Sequence, residues 1–445
     1  MTPMEFGKHI TKSLWGLADK ALPVVYGLAY VVLVIRVLPE EEFGNFVLLQ
    51  EIFLIISALA TALALQPMLK FASEEGSDAS PIVIVGVVLN FVFLLLSSLV
   101  VVATRNILGD ILHAPTLAPL LLYVPVMLFA SFIRNIALVL LQTRFGISRI
   151  FWVDALHFLG TPLLVWVYSR MHLFDSALDL VFINIISLSA SSLLGLILTW
   201  SMLRWSTSPT ADDYRRTWRY GKYSLGGNIS YLVYAKADTF ILAAFTGPIQ
   251  VAVYSSAKVF TRIFDMVTQV IQMFLLPGVS LLASRGEQRN LKAAVEKSIL
   301  FSTVGMVLVM IPMLVLAGPL VAILYSGRYP DAVPILQVFM LMSLAIPAFA
   351  IGSSVLMGLG EVRASFILGM QMLVVSVVAY LVMIPWLGAV GAALGVVIAS
   401  YIMAWIALER VRRHIPFTVP EVLARWGDIR VFVRSQLRNV MRRRP

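Results

Sequence analysis

Apolar residues run along this chain in stretches of about 20 or more, interrupted by short breaks rich in charge, Gly and Pro. A helix needs roughly 20 apolar residues to cross a hydrocarbon core about 30 Å thick. Twelve runs meet that length: 12–37, 44–71, 81–104, 117–143, 147–169, 178–204, 219–245, 249–283, 295–317, 332–358, 363–385 and 388–409. The expected fold class is therefore all-α and polytopic, with about 12 transmembrane helices.

The runs repeat. Ser13-Leu14-Trp15-Gly16 is echoed by Ser224-Leu225-Gly226-Gly227, about 210 residues later. Pro39–Phe46 is echoed by Gly247–Tyr254, and Gln66-Pro67 through Gly76 by Leu276-Pro277 through Gly286. A duplicated helical bundle predicts two lobes of six helices each, with a path between them. The expected divisions are an N-terminal lobe at 1–204, a cytoplasmic linker at 205–218, a C-terminal lobe at 219–410 and a basic tail at 411–445. Six spans per lobe make both lobes enter the membrane in the same sense, so their pseudo-twofold axis lies along the membrane normal. In the linker, Pro209 is a helix breaker and Asp212 the expected helix cap.

Composition agrees. The chain is 60% hydrophobic and 13% charged, with a mean hydropathy of +0.90. Soluble proteins carry about 25% charged residues. The net charge of +10 does not point to nucleic acid, because its distribution follows the spans. With the N-terminus in the cytoplasm, nearly every Lys and Arg outside the spans falls on the cytoplasmic side, and only Arg105, Arg170 and Arg328 fall opposite. By the positive-inside rule both termini are cytoplasmic. Lys8 and Lys12 precede the first apolar run without a small-residue cleavage pattern, so that run reads as a retained span. From Val422 on, apolar residues and arginines recur on opposite faces of a helix, which predicts a C-terminal amphipathic helix on anionic headgroups of the inner leaflet.

There is no cysteine, hence no disulfide and no thiolate chemistry. HExxH, P-loop and GxSxG patterns are absent from the sequence. An enzyme is not expected, and neither a catalytic residue, a metal site nor a cofactor is assigned.

The informative residues are ionisable groups within spans, each costing about 2.5–3.5 kcal/mol at mid-membrane. The cations are Lys20, Arg134, Lys236, Lys258 and Arg262; the anions are Asp19, Glu51, Asp154, Asp238 and Asp265. In the eighth run, Tyr254, Lys258, Thr261, Arg262, Asp265, Gln269 and Gln272 recur at three- and four-residue steps, predicting one polar stripe facing a cavity or a partner helix. The repeat offset sets Lys258 near Gln50 and Glu51, predicting cationic and anionic walls across one cleft. Arg134 and Asp154 flank a short turn at similar depth, which fits a structural ion pair or a substrate role. Lys236 and Asp238 are two residues apart and cannot pair with each other on a helix. Lys20 lies near the inner surface, where a lysine can also snorkel. His157 reads as a proton carrier or a satisfied buried histidine. Pro67 and Pro277, at matching places in the repeat, are candidate gating bends.

Several motifs resemble the polysaccharide-flippase branch of the multidrug/oligosaccharidyl-lipid/polysaccharide exporter superfamily. They are Tyr220-Gly221-Lys222-Tyr223-Ser224-Leu225-Gly226-Gly227, Ala237-Asp238-Thr239-Phe240-Ile241-Leu242, Thr246-Gly247-Pro248, Tyr254-Ser255-Ser256-Ala257, Leu324–Tyr329 and Gly388–Ala393. The resemblance implies alternating access through a cationic central cavity. It implies translocation of a polyprenyl-diphosphate-linked oligosaccharide from the cytoplasmic to the outer leaflet, for lipopolysaccharide, exopolysaccharide or other envelope polysaccharide. Lys258, Arg262, Lys236, Arg134 and Lys20 are then the substrate-binding candidates, and Asp265, Asp238, Glu51 and Asp154 the ion-coupling or charge-pairing ones. Expected partners are the lipid-linked oligosaccharide, membrane lipids, H+ or Na+ as coupling ion, and a polysaccharide polymerase or glycosyltransferases. The expected location is the bacterial inner (cytoplasmic) membrane. The alternative is a cation-coupled multidrug exporter of the same superfamily, for which buried carboxylates should dominate the cavity.

Overall fold

The computed structural model describes residues 3–75, 80–202 and 208–428. Among these residues all regular structure is helical, as hydrocarbon requires of a chain that must satisfy its backbone internally. The first helix, α1, is Pro3–Ile35. α2 (Glu40–Ala60) passes through a π-helical turn, Thr61–Leu65, into α3 (Gln66–Glu75). Then come α4 (Ser80–Ile111), a short α5 (Leu117–Leu120), α6 (Val124–Thr143), α7 (Ile147–Phe158), α8 (Gly160–Arg170) and α9 (Ala177–Thr199). The repeat continues with α10 (Ala211–Thr246), α11 (Pro248–Lys258), α12 (Arg262–Ser284) and α13 (Gln288–Tyr325). The chain closes with α14 (Ala332–Leu341), α15 (Ala345–Gly358), α16 (Val362–His414) and α17 (Val419–Ala424).

Among the described residues, nine helical stretches are long and apolar enough to cross a membrane. The difference from the expected twelve has three sources. The apolar part of α1, Ala21–Ile35, is short. α10 has 36 residues, but its polar first half, Lys236 and Asp238 lower its apolar content. The 52-residue stretch Arg363–His414 counts once, yet at 1.5 Å per residue it is about 78 Å long. It breaks at Gly388, where φ is 54° and ψ −130°, a conformation open to glycine and closed to most residues. That break coincides with the boundary expected between runs 363–385 and 388–409.

Local chemistry sets the turns. Gly247, at φ 78°, precedes Pro248 at the first position of α11 and ends α10. The cap of α10 is Thr210, not Asp212: Thr210 Oγ1 accepts from Asp213 N, and Asp213 Oδ2 accepts from Thr210 N at 2.7 Å. The correction has a simple reason, since a capping box needs its acid three residues after the hydroxyl.

Contacts divide the chain into two compact units, residues 1–259 with 324–328 and residues 260–323 with 329–445. The division falls inside the 3-10 turn Val259–Thr261, whereas the repeat divides the sequence at 205–218. In the first unit, α2 runs against both α10 and α11 through glycines. A β-carbon on Gly44 would collide with the carbonyl oxygen of Pro248, and one on Gly221 with that of Leu63. Leu63 is four residues before Pro67, so its oxygen is the one an N–H at 67 would bond in an α-helix. The π-turn sits at that place, and the backbone of Gly221 approaches the same oxygen. Elsewhere in the unit, α9 is fastened by Ser191 donating to Val153 O at 2.6 Å and Ser192 to Ala130 O, polar contacts that hold helices together where the hydrophobic effect cannot. In the second unit, Gly352 of α15 lies against Ala407 of α16, and Gly358 against Val279 of α12.

Candidate functional site

Among the described residues of the first unit, the candidate site residues form three ion pairs. α10 carries two of the residues, and both find partners on other helices. Lys236 Nζ is 2.6 Å from Glu51 Oε2 of α2. Asp238 Oδ2 accepts from Lys258 Nζ and from Tyr254 OH of α11, each at 2.5 Å. Its Oδ1 accepts from Thr239 N at 2.7 Å and Thr239 Oγ1 at 3.2 Å. The expectation that Lys236 and Asp238 cannot pair with each other holds, and each has its own countercharge.

These groups share one depth. Glu51 is eleven residues from the start of α2, and Lys236 and Lys258 are each eleven from Gly247. At 1.5 Å per residue all three lie about 16 Å in, near the middle of a ~30 Å core. The two lysines are similarly exposed, Lys258 at 30% and Lys236 at 25%, and the pairs differ in their carboxylates. Asp238 is 3% exposed and accepts four hydrogen bonds, so its site is complete. The Lys236 and Glu51 side chains remain 25% and 17% exposed, and each has the other as its ion-pair partner.

The third pair joins Arg134 Nη2 of α6 to Asp154 Oδ1 of α7, with side chains 11% and 13% exposed. Phe158 covers the guanidinium, its ring centre 5.7 Å away. Of the two readings open for this pair, the geometry favours the structural one. His157 Nδ1 lies 3.3 Å from Ser187 Oγ and 3.5 Å from Thr161 Oγ1, the satisfied environment.

Two expectations about spans 2 and 8 need correction. Glu51 faces Lys236 and not Lys258, because α2 meets α10 over this stretch and the repeat offset relates positions by symmetry, which does not bring them into contact. The helix of span 8, for its part, is not one regular α-helix. Lys258 ends α11, Val259–Thr261 form a 3-10 turn, and Arg262 opens α12. Arg262 is half-buried. The side chains of Lys20 and Asp265 lie outside the described residues, as does the tail from residue 429.

Beside Lys236 an apolar groove of about 260 Å3 opens between α2 and α10, lined by Ile55, Leu59, Ile229, Leu232, Val233, Lys236, Ala237 and Phe240. Periodicity gave no sign of it, since these positions look like ordinary lipid-facing or core residues. In the second unit α17 is held to the first turns of α13. Lys292 Nζ meets Glu421 Oε1 at 2.6 Å, Arg425 Nε meets the buried Glu296 Oε2 at 2.8 Å, and Lys297 Nζ meets Asp428 Oδ2 at 3.1 Å. Lys292 holds the Glu421 carboxyl below the ordinary carboxylate range, with Thr418 adding to the effect.

The profile of a family described as polysaccharide biosynthesis proteins matches residues 32–334, more than half of the chain. The chain belongs to the polysaccharide biosynthesis protein family. A probable low-salt glycan biosynthesis flippase of Haloferax volcanii, Agl15, is 26% identical over 174 residues, covering 38% of this chain and 36% of that protein. The fold of this family member is similar to that of the lipid II flippase MurJ in an inward closed conformation, with a TM-score of 0.74 and 13% identity over 93% of this chain and 89% of the other. It is also similar to an inward-facing multidrug resistance MATE family transporter of the MOP superfamily, with a TM-score of 0.72 and 17% identity over 90% of this chain and 98% of the other. These two likenesses show the fold that the chain shares with those proteins. They do not choose between a lipid-linked and a drug substrate, so for this polysaccharide biosynthesis protein the choice rests on the residues of the site.

Proposed function

We propose that this protein moves a polyprenyl-diphosphate-linked oligosaccharide from the cytoplasmic to the outer leaflet by alternating access. The observation that carries the reading is Lys236, a cation at mid-depth, partly exposed and held by one carboxylate. A diphosphate entering a low-dielectric core needs a countercharge. Lys236 offers one at the cost of a single exchangeable partner, whereas Lys258 is engaged with a saturated Asp238. Lys258, Arg262 and Lys20 are further headgroup contacts in this reading, Lys20 near the cytoplasmic side. Arg134 serves the first unit's architecture through Asp154.

When a headgroup takes Lys236, Glu51 loses its cation. A proton or Na+ arriving at Glu51 would then compensate it, which ties the coupling ion to the headgroup cycle. Pro67 and Pro277 act as bends in this cycle, Pro67 next to the π-turn where α2 meets α10. Glycosyl transfer on the cytoplasmic side supplies such a substrate, and polymerisation or transfer on the far side consumes it. The protein then resides in the cytoplasmic membrane with both termini inside.

The test is reconstitution in proteoliposomes with two substrates, a fluorescent polyprenyl-diphosphate oligosaccharide and a lipophilic drug cation. The reading predicts that only the glycolipid changes leaflet at a protein-dependent rate. Transport of the drug cation alone would favour the multidrug alternative.

A further inference from the structure

The groove beside Lys236 has no assigned occupant. Its residues on α10, Ile229, Leu232, Val233, Lys236, Ala237 and Phe240, follow steps of three and four and form one helix face about 16 Å long. Ile55 and Leu59, one turn apart on α2, make the opposite wall. Among the described residues Lys236 is the one charged side chain lining it, and there is no hydroxyl or amide to hold a sugar. The volume of about 260 Å3 falls below the roughly 300–1,000 Å3 of pockets that enclose a whole small ligand. Ile229 and Val233, each 44% exposed, leave a flank open. These properties suit a linear apolar chain entering sideways, with an anion at the lysine.

We propose that this groove seats the first isoprene units of the polyprenyl chain, with the proximal phosphate on Lys236. The inference rests on the functional reading above and adds where the lipid part is held during passage. Charge and depth together select this occupant. An ordinary phospholipid also joins an apolar chain to a phosphate, but its phosphate stays at the interface. Lys236 is about 16 Å inside, where only an anion carried through the core meets it. Seating the chain next to the headgroup keeps its apolar surface out of the polar path while the lysine replaces lost hydration.

The test places the photoreactive residue p-benzoylphenylalanine at position 233, and at Leu308 of α13 as an exposed control (69% exposed). The full chain is reconstituted in phosphatidylethanolamine and phosphatidylglycerol vesicles with polyprenyl-diphosphate-N-acetylglucosamine. The expected result is a glycolipid adduct at 233 in about tenfold excess over 308, competed by polyprenyl diphosphate and not by added phosphatidylglycerol. Val233→Trp with Ile229→Trp should slow glycolipid translocation about tenfold, equivalent to about 1.4 kcal/mol, with an unchanged size-exclusion profile. Adducts to phospholipid alone, or equal glycolipid labelling at 233 and 308, would overturn the assignment. Unchanged transport by the double variant would overturn it as well. If the wild type moves the glycolipid but the groove is unlabelled, the groove assignment falls alone; if the wild type moves none, the functional reading falls and takes the occupant with it.

Discussion

Lys258 Nζ lies 2.5 Å from Asp238 Oδ2, and this pair links the second half of α10 to the end of α11 at mid-membrane depth. Tyr254, one turn before Lys258, donates to the same oxygen. A carboxylate so fully satisfied anchors its surroundings, and breaking a buried pair by removing one partner costs roughly 3–5 kcal/mol. Asp238→Asn should therefore lower the thermal unfolding midpoint in detergent markedly. Asp238→Asn combined with Lys258→Met should recover part of the loss, because the uncompensated charge is gone. Differential scanning fluorimetry of the wild type and the two variants checks this.

The glycine contacts make a second prediction. A β-carbon at Gly221 meets the Leu63 oxygen, whereas Gly227 has nothing within 4 Å. Gly221→Ala should push α10 away from the π-turn of α2 and cost about 1–3 kcal/mol, as overpacking does. Gly227→Ala should be neutral or slightly stabilising, since alanine is the better helix former. Unfolding midpoints of the two variants, compared side by side, measure the difference.

Much of this arrangement was legible in the sequence. Long apolar runs gave the helices, and the break at Gly388 appeared as a gap between runs. Arg134 and Asp154 could be matched because they flank one short turn at equal depth. The partner of Glu51 was not legible. The repeat aligned it with Lys258, but α2 touches α11 near Gly44 and α10 near Leu63, so the residue between them meets Lys236. The 3-10 turn at Val259–Thr261 was hidden because apolar and polar residues keep helical spacing through it. The ties between α13 and α17 join residues 129 apart, such as Lys292 and Glu421, and no periodicity reports a contact of that range.

Those ties predict a pH dependence. Glu421 is held below its ordinary value of 4.5, first by the hydrogen bond from Lys292 and then by Thr418. A depressed carboxyl stabilises the docked form fully above the ordinary value and loses that contribution as pH falls through the lowered one. Docking of residues 415–428 should thus be constant from neutral pH down to the ordinary value of 4.5 and weaken as pH falls through the lowered one. Glu421→Gln should make the segment looser at neutral pH and remove the acid step. Hydrogen exchange of this segment, corrected for intrinsic rates, reads both effects.

Glu51 gives a fourth prediction. Glu51→Gln leaves Lys236 without its anion, so the lysine should bind an anionic headgroup more tightly and release it more slowly. Glycolipid translocation should fall while apparent affinity rises, and the pH dependence of translocation should flatten. Initial rates in proteoliposomes at several pH values and substrate concentrations separate these effects.

The central claim is that Lys236 neutralises the headgroup in the membrane interior. Its most direct test is equilibrium binding of a polyprenyl-diphosphate oligosaccharide to the wild type, Lys236→Arg and Lys236→Gln. A charge-assisted hydrogen bond is worth about 1.5–3 kcal/mol, so Lys236→Gln should bind at least about tenfold more weakly, while Lys236→Arg stays close to the wild type. Equal affinity of all three proteins would contradict the account.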